Sequence, residues 1–308
     1  MTTPEKKQLS TSGGFTAGAI AACGAVTITN PIEIVKTRMQ LQGELHRKGE
    51  VKKVYTGLFQ ALRTILKNEG FRGWQRGLSA AYVYQIGLNG CRLGFYEPLR
   101  RVLAEGLLGD PEKSTLGINV FAGAASGVMG AIAGSPFFLV KTRMQSYSPV
   151  FKVGTQTHYT SLANGLGSIY RAEGTLGLYR GCTSAMLRTG AGSSVQLPIY
   201  NYVKGLLDKS GLVEQGPTQH LMSSAVSGLG VCIVMNPWDV LMTRMYNQRG
   251  NLYSGVIDCF VKTVTIEGPM ALYKGFFAHL MRIGPHTILA LTFMEQTRKL
   301  MMWAEGVE

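Results

Sequence analysis

Long apolar stretches punctuated by proline recur three times along this chain. The first runs from Gly13 to Gln40. It is apolar as far as Asn30, then meets Pro31, beyond which Glu33 and Lys36 stand three residues apart on one helix face. The same punctuation returns at Pro136, followed by Phe138 and Lys141, and at Pro237, followed by Asp239 and Met242. Spacings of 105 and 101 residues between the prolines are too long for a solenoid unit, and three copies fill the chain. Each copy predicts an apolar helix interrupted by its proline.

Short amphipathic segments follow. They open at Tyr55-Thr56-Gly57, Tyr159-Thr160-Ser161 and Tyr253-Ser254-Gly255, and each reaches Glu69, Glu173 or Glu267 after 14 residues. A helix of that length is too short to cross a bilayer and is expected to lie on its surface. A second set of long spans covers about Leu78 to Leu103, Ser184 to Leu207 and His279 to Met302, with connections near Gly109 to Thr115 and Ser210 to Gly216. Thirteen residues before the prolines stand Gly18, Gly123 and Ser224, and nine before them Ala22, Gly127 and Gly228. Small residues in that register predict close helix–helix approach.

Composition changes the picture in three respects. Length alone, 308 residues, would favour two soluble domains, and a mean hydropathy of +0.09 would not by itself establish a membrane protein. Threefold repetition, 39 glycines and a charged fraction of 16% favour helices packed through small residues in lipid. The net charge of +13 is spread through the repeats, not gathered on a soluble module, which argues against nucleic acid as a partner and leaves anionic lipid or an anionic solute. The five cysteines form no Cys-x-x-Cys pair and read as small buried hydrophobes, not as disulfides or metal ligands. Met1 to Ser12 is short and polar, so any organelle address is expected to be internal.

Each proline motif is followed by Glu-Gly and a basic-Gly triplet: Glu69-Gly70 with Arg76-Gly77, Glu173-Gly174 with Tyr179-Arg180-Gly181, and Glu267-Gly268 with Tyr273-Lys274-Gly275. Pro-x-Asp/Glu-x-x-Lys/Arg in this company resembles the mitochondrial carrier family over essentially the whole chain. The resemblance implies an all-α membrane protein. Six transmembrane helices would form a pseudo-threefold bundle of three ~100-residue repeats, near 13–108, 116–209 and 217–303, each with a short surface helix on the matrix side. It also implies a monomer in the mitochondrial inner membrane with both termini on the intermembrane-space side. Transport by alternating access through a central path, not enzymatic turnover, would be its activity; no phosphate loop, metal spacing or Ser/His/acid set is evident. Free backbone N–H groups around Gly57, Gly77, Gly181, Gly255 and Gly275, beside Arg76, Arg180 and Lys274, suit a lipid phosphate. By resemblance that lipid is cardiolipin.

In the resembled family the acid of one odd helix pairs with the base of the next, closing a matrix gate. Carried over, Glu33 meets Lys141, Asp239 meets Lys36, and Phe138 meets Met242, an apolar contact where the family has an ion pair. Gln40 and Gln145 are expected to brace these bridges, with Tyr246 in the third place. A cytoplasmic gate would use Glu97, Arg100, Lys204, Glu295 and Arg298, with Asn201 where an acid is expected.

Thirteen residues before Glu97, Asn201 and Glu295 stand Tyr84, Arg188 and Arg282, at equivalent depths in three repeats, with Arg92 on the same side as Tyr84. An arginine inside a span costs at least ~2.5 kcal/mol and normally faces a wet cavity or a partner. Mid-span acids are scarce, so the expected partner is an anionic solute held in bidentate forks. Asn89, Thr189 and His286 would add polar contacts, and His286 could take up a proton. In the resembled family Arg188-Thr189 marks carriers of keto acids and related carboxylates. The whole pattern looks most like the fungal oxaloacetate carriers, with sulfate, malonate or isopropylmalate as related substrates. A dicarboxylate carrier or an uncoupler-like proton and anion transporter is the alternative.

Overall fold

The apolar stretches form helices that continue through their prolines. In this computed structural model, which describes residues 10–47, 49–110, 115–210 and 217–306, α1 (Thr11–Leu41), α4 (Leu116–Ser146) and α7 (Pro217–Asn247) each span 31 residues, with Pro31, Pro136 and Pro237 inside. Side chains at 11, 12, 89, 92, 93, 108, 116, 193, 194, 196, 197, 209, 210, 217–222, 224 and 225 are outside that description. Hydroxyls of Ser10 and Thr115 cap α1 and α4 by accepting the N–H of Gly13 and Ile118. At ~1.5 Å per residue such helices reach ~46 Å, enough to cross a ~30 Å hydrocarbon core.

Among the described residues, α1 from Gly13, α4 from Gly117 and α7 from Val226 are both long and apolar enough for membrane spans. Equally long partners are α3 (Leu78–Leu108), α6 (Cys182–Ser210) and α9 (Phe276–Ala304); counting only the six long helices in chain order, α1, α4 and α7 are the odd helices and α3, α6 and α9 the even ones. Their apolar signal is diluted by the polar and basic positions that make them informative, Arg188 and Arg282 among them. The helices pack in the ring order α1, α3, α4, α6, α7, α9, and α9 returns to α1. At the end remote from the prolines, Ser10 ties α1 to α9 by hydrogen bonds from its N–H and Oγ to the Glu305 carboxylate.

Surface helices join each pair. α2 (Leu58–Trp74) and α5 (Leu162–Leu178) turn at Gly70 and Gly174. The third repeat departs from the expected single helix: α8 (Val256–Lys262) passes into a π-helical turn, Thr263–Glu267, and a 3₁₀ turn, Pro269–Tyr273. Pro269 follows Gly268 directly and supplies no N–H for a helical bond, so the segment breaks there. Phe59, Leu176, Ile257 and Met270 on these segments are 79–87% exposed, an apolar fringe suited to the acyl boundary of a bilayer.

The small-residue register is only partly used. A Cβ on Gly18 or Gly127 would stand 3.3 Å from Met294 or Thr189, but one on Gly123 or Gly228 would meet nothing within 4 Å. Ser224 lies outside the described side chains. Closer approaches occur at Gly24 against Phe293, Gly134 against Tyr84 and Gly230 against Ile199, where aromatic or branched side chains from even helices cover bare backbone. The triplet glycines have their own packing reason. Gly181 has φ +89°, and a Cβ there would stand 3.0 Å from the Tyr246 ring; Gly77 and Gly275 meet Gln145 and Gln40 in the same way.

Buried arginines lock the repeats together. Arg38 grips Glu69 at 2.5 Å, Arg143 grips Glu173 at 2.8 Å and Arg244 grips Glu267 at 2.5 Å. Each also donates to carbonyls ending the next odd helix or just past it: Arg38 to Gln145 and Tyr147, Arg143 to Tyr246 and Gln248, Arg244 to Gln40. Glu69→Ala should therefore leave a fully buried guanidinium short of its counter-charge and cost ~3–5 kcal/mol. Glu97→Ala, at an exposed pair, should cost under ~1 kcal/mol. Thermal unfolding in detergent compares them; equal midpoints would show that the Arg38–Glu69 lock carries no stability.

Candidate functional site

Just beyond the prolines the odd helices converge, and their polar residues meet across the axis. Lys36 Nζ donates to Asp239 Oδ2 at 2.6 Å, and Lys141 Nζ lies 2.8 Å from Glu33 Oε1. All four residues are buried. Phe138 and Met242 share one apolar cluster with Leu139, Val140 and Tyr246. The Phe138 ring stands 5.0 Å from both the Tyr84 and Tyr246 rings, and Lys141 Nζ is 5.3 Å from the Tyr84 and Phe138 centroids. Lys141 thus joins the ionic and apolar parts of the floor.

The glutamines act elsewhere than expected. Thr243 Oγ1 donates to Gln40 Oε1 at 2.7 Å, and Gln145 Nε2 donates to Asn30 Oδ1 at 3.0 Å. They tie helix to helix one turn beyond the ion pairs and do not brace them. Tyr246, in the third place, bonds through its hydroxyl to Ser135 Oγ at 2.9 Å.

The arginines also have partners that the sequence reading does not foresee. Arg188 Nε bonds to Asp239 Oδ1, and Arg282 Nη2 lies 3.3 Å from Glu33 Oε1. Each floor carboxylate therefore holds one lysine from a neighbouring odd helix and one arginine from an even helix. Long side chains projecting down from mid-span reach acids that the linear sequence places at the gate. Arg282 Nε is buried with no hydrogen-bond partner among the described residues, a donor still to be satisfied. Above this floor a cavity of about 240 Å³ is lined by Tyr84, Phe138, Arg188, Thr189, Met235 and Met242.

Thr189 faces the cavity differently from the expectation. Its hydroxyl donates to the Ala185 carbonyl of its own helix at 2.9 Å, and its methyl group packs near Gly127. His286 Nδ1 lies 3.3 Å from Thr29 Oγ1. Asn89 and Arg92 are on α3, but their side chains lie outside the described residues. One polar group at the floor was missed: His279, buried, with Nδ1 3.0 Å from Asp239 Oδ2. Its signal was legible, because the equivalent positions in the first two repeats are Ala81 and Ala185.

At the opposite end the expected ring does not close in this conformation. Arg100 Nε donates to Glu97 Oε2 at 3.0 Å within one helix, and Glu295 takes Lys299 at 2.9 Å in place of Arg298. Glu97, Asn201, Glu295 and Arg298 are exposed and Lys204 half-buried. Water around these groups competes with any bridge between helices, so the molecule is closed at the proline end and open at the other.

The triplet bases are occupied by protein. Arg76 lies 3.6 Å and Arg180 3.0 Å from the glutamates already held by Arg38 and Arg143, and Lys274 lies 2.5 Å from Glu267. Gly57 and Gly255 precede α2 and α8 without a side-chain cap, whereas Ser161 caps α5. Grooves open beside both uncapped starts, one reaching Lys274 and Gly275, the other Arg180 and Gly181.

The closed end carries a further cover, the α4–α5 connection. Asn247 Nδ2 donates to the Thr155 carbonyl at 3.2 Å, Ser146 Oγ donates to Asn247 Oδ1 at 2.7 Å, and Phe151 lies edge-on to Tyr55 with ring centres 6.5 Å apart. Nearby, Tyr253 donates its hydroxyl to Glu44 Oε1 at 2.8 Å. Burial pushes the Glu44 carboxyl above the usual carboxylate range, against the pull of Arg244.

Comparison with known proteins covers nearly the whole chain. The family model described as mitochondrial carrier protein matches residues 7–107, 112–211 and 213–305. The mitochondrial oxaloacetate transport protein of Saccharomyces cerevisiae is 59% identical over 97% of this chain and 93% of the relative. The protein of that name in Schizosaccharomyces pombe is 56% identical over 96% and 93%. Mitochondrial citrate transporter E of Aspergillus niger is 58% identical over 94% of each.

Proposed function

The chain belongs to the mitochondrial carrier family, and from that premise we propose that it moves a small dicarboxylate di-anion of the oxaloacetate class across the mitochondrial inner membrane. The observation that carries this reading is the pair of guanidiniums at equivalent depths of α6 and α9: Arg188 lines the cavity beside Asp239, and Arg282 lies against Glu33 with its Nε unsatisfied among the described residues. Two forks on α6 and α9, the helices on either side of α7 in the ring, match two carboxylates on a short carbon chain. Relatives named for oxaloacetate in two yeasts support the same substrate class.

The proline end is the matrix gate in this reading, and Glu33–Lys141, Lys36–Asp239 and Phe138–Met242 are its three contacts. The polar groups of the open end, charged Glu97, Arg100, Lys204, Glu295 and Arg298 with neutral Asn201, form the cytoplasmic gate once the helices tilt inward. Both termini then face the intermembrane space. Cardiolipin phosphates occupy the grooves beside Gly57 and Gly255.

A second reading, citrate, is favoured by the Aspergillus relative. Uptake of labelled oxaloacetate, malate, sulfate, citrate, phosphate and ADP into reconstituted vesicles separates the two. Oxaloacetate should be taken up fastest and displaced by sulfate and malate, with ADP inert. Faster uptake of citrate than of any di-anion would overturn the first reading.

Coupling follows from the field. A di-anion entering against a negative-inside potential opposes ~2.3 kcal/mol per charge per 100 mV, so net import needs protons or a counter-anion. Acidifying the outside of empty vesicles should accelerate uptake. No response, with a strict need for internal anion, would establish obligatory exchange.

A further inference from the structure

One buried titratable side chain at the gate breaks the threefold pattern. Four residues beyond the triplet glycine, the first two repeats have Ala81 and Ala185, and the third has His279. His279 is 1% exposed, with Nδ1 3.0 Å from Asp239 Oδ2 and 3.4 Å from Asn236 Oδ1. The same carboxylate takes Lys36 Nζ at 2.6 Å and Arg188 Nε. The charged groups facing the imidazole are therefore Asp239 on α7, Lys36 on α1 and Arg188 on α6.

We infer that His279 takes up the proton that accompanies the transported di-anion, in exchange for Arg188 at Asp239. The inference rests on the reading of the chain as a di-anion carrier. With the cavity empty, Asp239 already has two cations, and a third positive charge on the imidazole is disfavoured by both. A substrate carboxylate draws the Arg188 guanidinium off Asp239. The imidazole then faces one carboxylate and one ammonium, and the space that Arg188 vacates beside Asp239 admits the water that brings its proton. Asp239 stays ionised against Lys36, so the proton resides on the histidine. When the gate opens and the anion leaves, Arg188 returns to Asp239 and the imidazolium gives its proton to the far side. One proton travels with each di-anion, and no covalent bond other than the N–H changes. His286, bonded to the Thr29 hydroxyl near Arg282, is the competing site.

The test is the ratio of initial labelled-oxaloacetate uptake with and without a one-unit pH gradient, acid outside. For one coupled proton the gradient is worth a factor of up to about ten. The wild-type ratio should rise well above unity and that of His279→Gln should fall to unity whatever its absolute rate, while His286→Gln keeps the wild-type ratio. An unchanged ratio in His279→Gln, or a loss confined to His286→Gln, overturns the inference. A wild type that imports oxaloacetate with no gradient response overturns it too but leaves the carrier reading intact, whereas no di-anion uptake at all overturns that reading itself. Should His279→Gln not transport, oxaloacetate binding to the detergent-solubilised proteins is measured calorimetrically in two buffers of different ionisation enthalpy. Wild type should take up a proton on binding between about pH 6 and 8, and the variant none. Absence of proton uptake by wild type over that range overturns the assignment irrespective of any variant.

Discussion

Arg188→Ala should reduce di-anion uptake to background while the protein still inserts and folds. The guanidinium serves Asp239 in the empty cavity and, by proposal, a substrate carboxylate in the loaded one. Its removal leaves Asp239 with Lys36 and His279, so the floor keeps a counter-charge and the fold is spared. The substrate has no such reserve. Truncating one partner of a buried, hydrogen-bonded charge pair costs ~2–5 kcal/mol, a factor of about 30 to a few thousand in affinity. Arg282→Ala should do the same through Glu33, which retains Lys141. Arg188→Lys should keep only a small part of the uptake, since an ammonium cannot form the planar fork. Initial rates at equal amounts of inserted protein decide the matter; near-normal uptake by Arg188→Ala would remove the substrate-binding role.

Phe138→Asp should slow transport severely, and Met242→Arg should restore part of it. Phe138 lies in an aromatic and apolar cluster with Tyr84, Tyr246 and Met242. A carboxylate placed there loses that packing and competes with Glu33 for Lys141, whose ammonium lies 5.3 Å from the Phe138 ring centre. An arginine at 242 supplies the missing cation, completing a third ionic contact. That contact must separate each cycle, so the double variant should still be slower than wild type, with unchanged substrate preference. A double-mutant cycle on uptake rates should give a coupling of ~0.5–3 kcal/mol for residues in contact. Simple additivity would mean that the two side chains do not meet.

The pairing of odd helices is legible because three copies of one motif allow the resembled family's pairing, the acid of one helix to the base of the next, to be carried over position by position. Repetition cannot reveal how far a long side chain reaches. The scarcity of acids at mid-span leaves Arg188 and Arg282 without an acidic partner in the linear sequence, yet both side chains reach Asp239 and Glu33 near the prolines, and a carboxylate has two oxygens and accepts from several donors. Thr189 shows the same limit at shorter range: its hydroxyl is satisfied by its own helix, a choice open to any threonine in a helix. The glycine register misled because close approach depends on which neighbour is large. Phe293, Tyr84 and Ile199 select Gly24, Gly134 and Gly230, and those residues lie far away in sequence. The break in the third surface helix was present in the sequence as Pro269, masked by matching that repeat to the other two.

The arginine locks have a geometric consequence. Arg38 reaches from the first repeat to the second, Arg143 from the second to the third, and Arg244 from the third back to the first. Each joint uses one face as donor and a different face as acceptor, so the repeats assemble head to tail and the rotation closes, as in a cyclic trimer whose subunits are threaded on one chain. A closed cycle has no free end. The three inter-repeat rotations must always sum to a full turn, so none can widen alone. Tilting at one joint is shared by the other two, and the proposed gate, with its unequal contacts, two ionic and one apolar, would still open as a single iris.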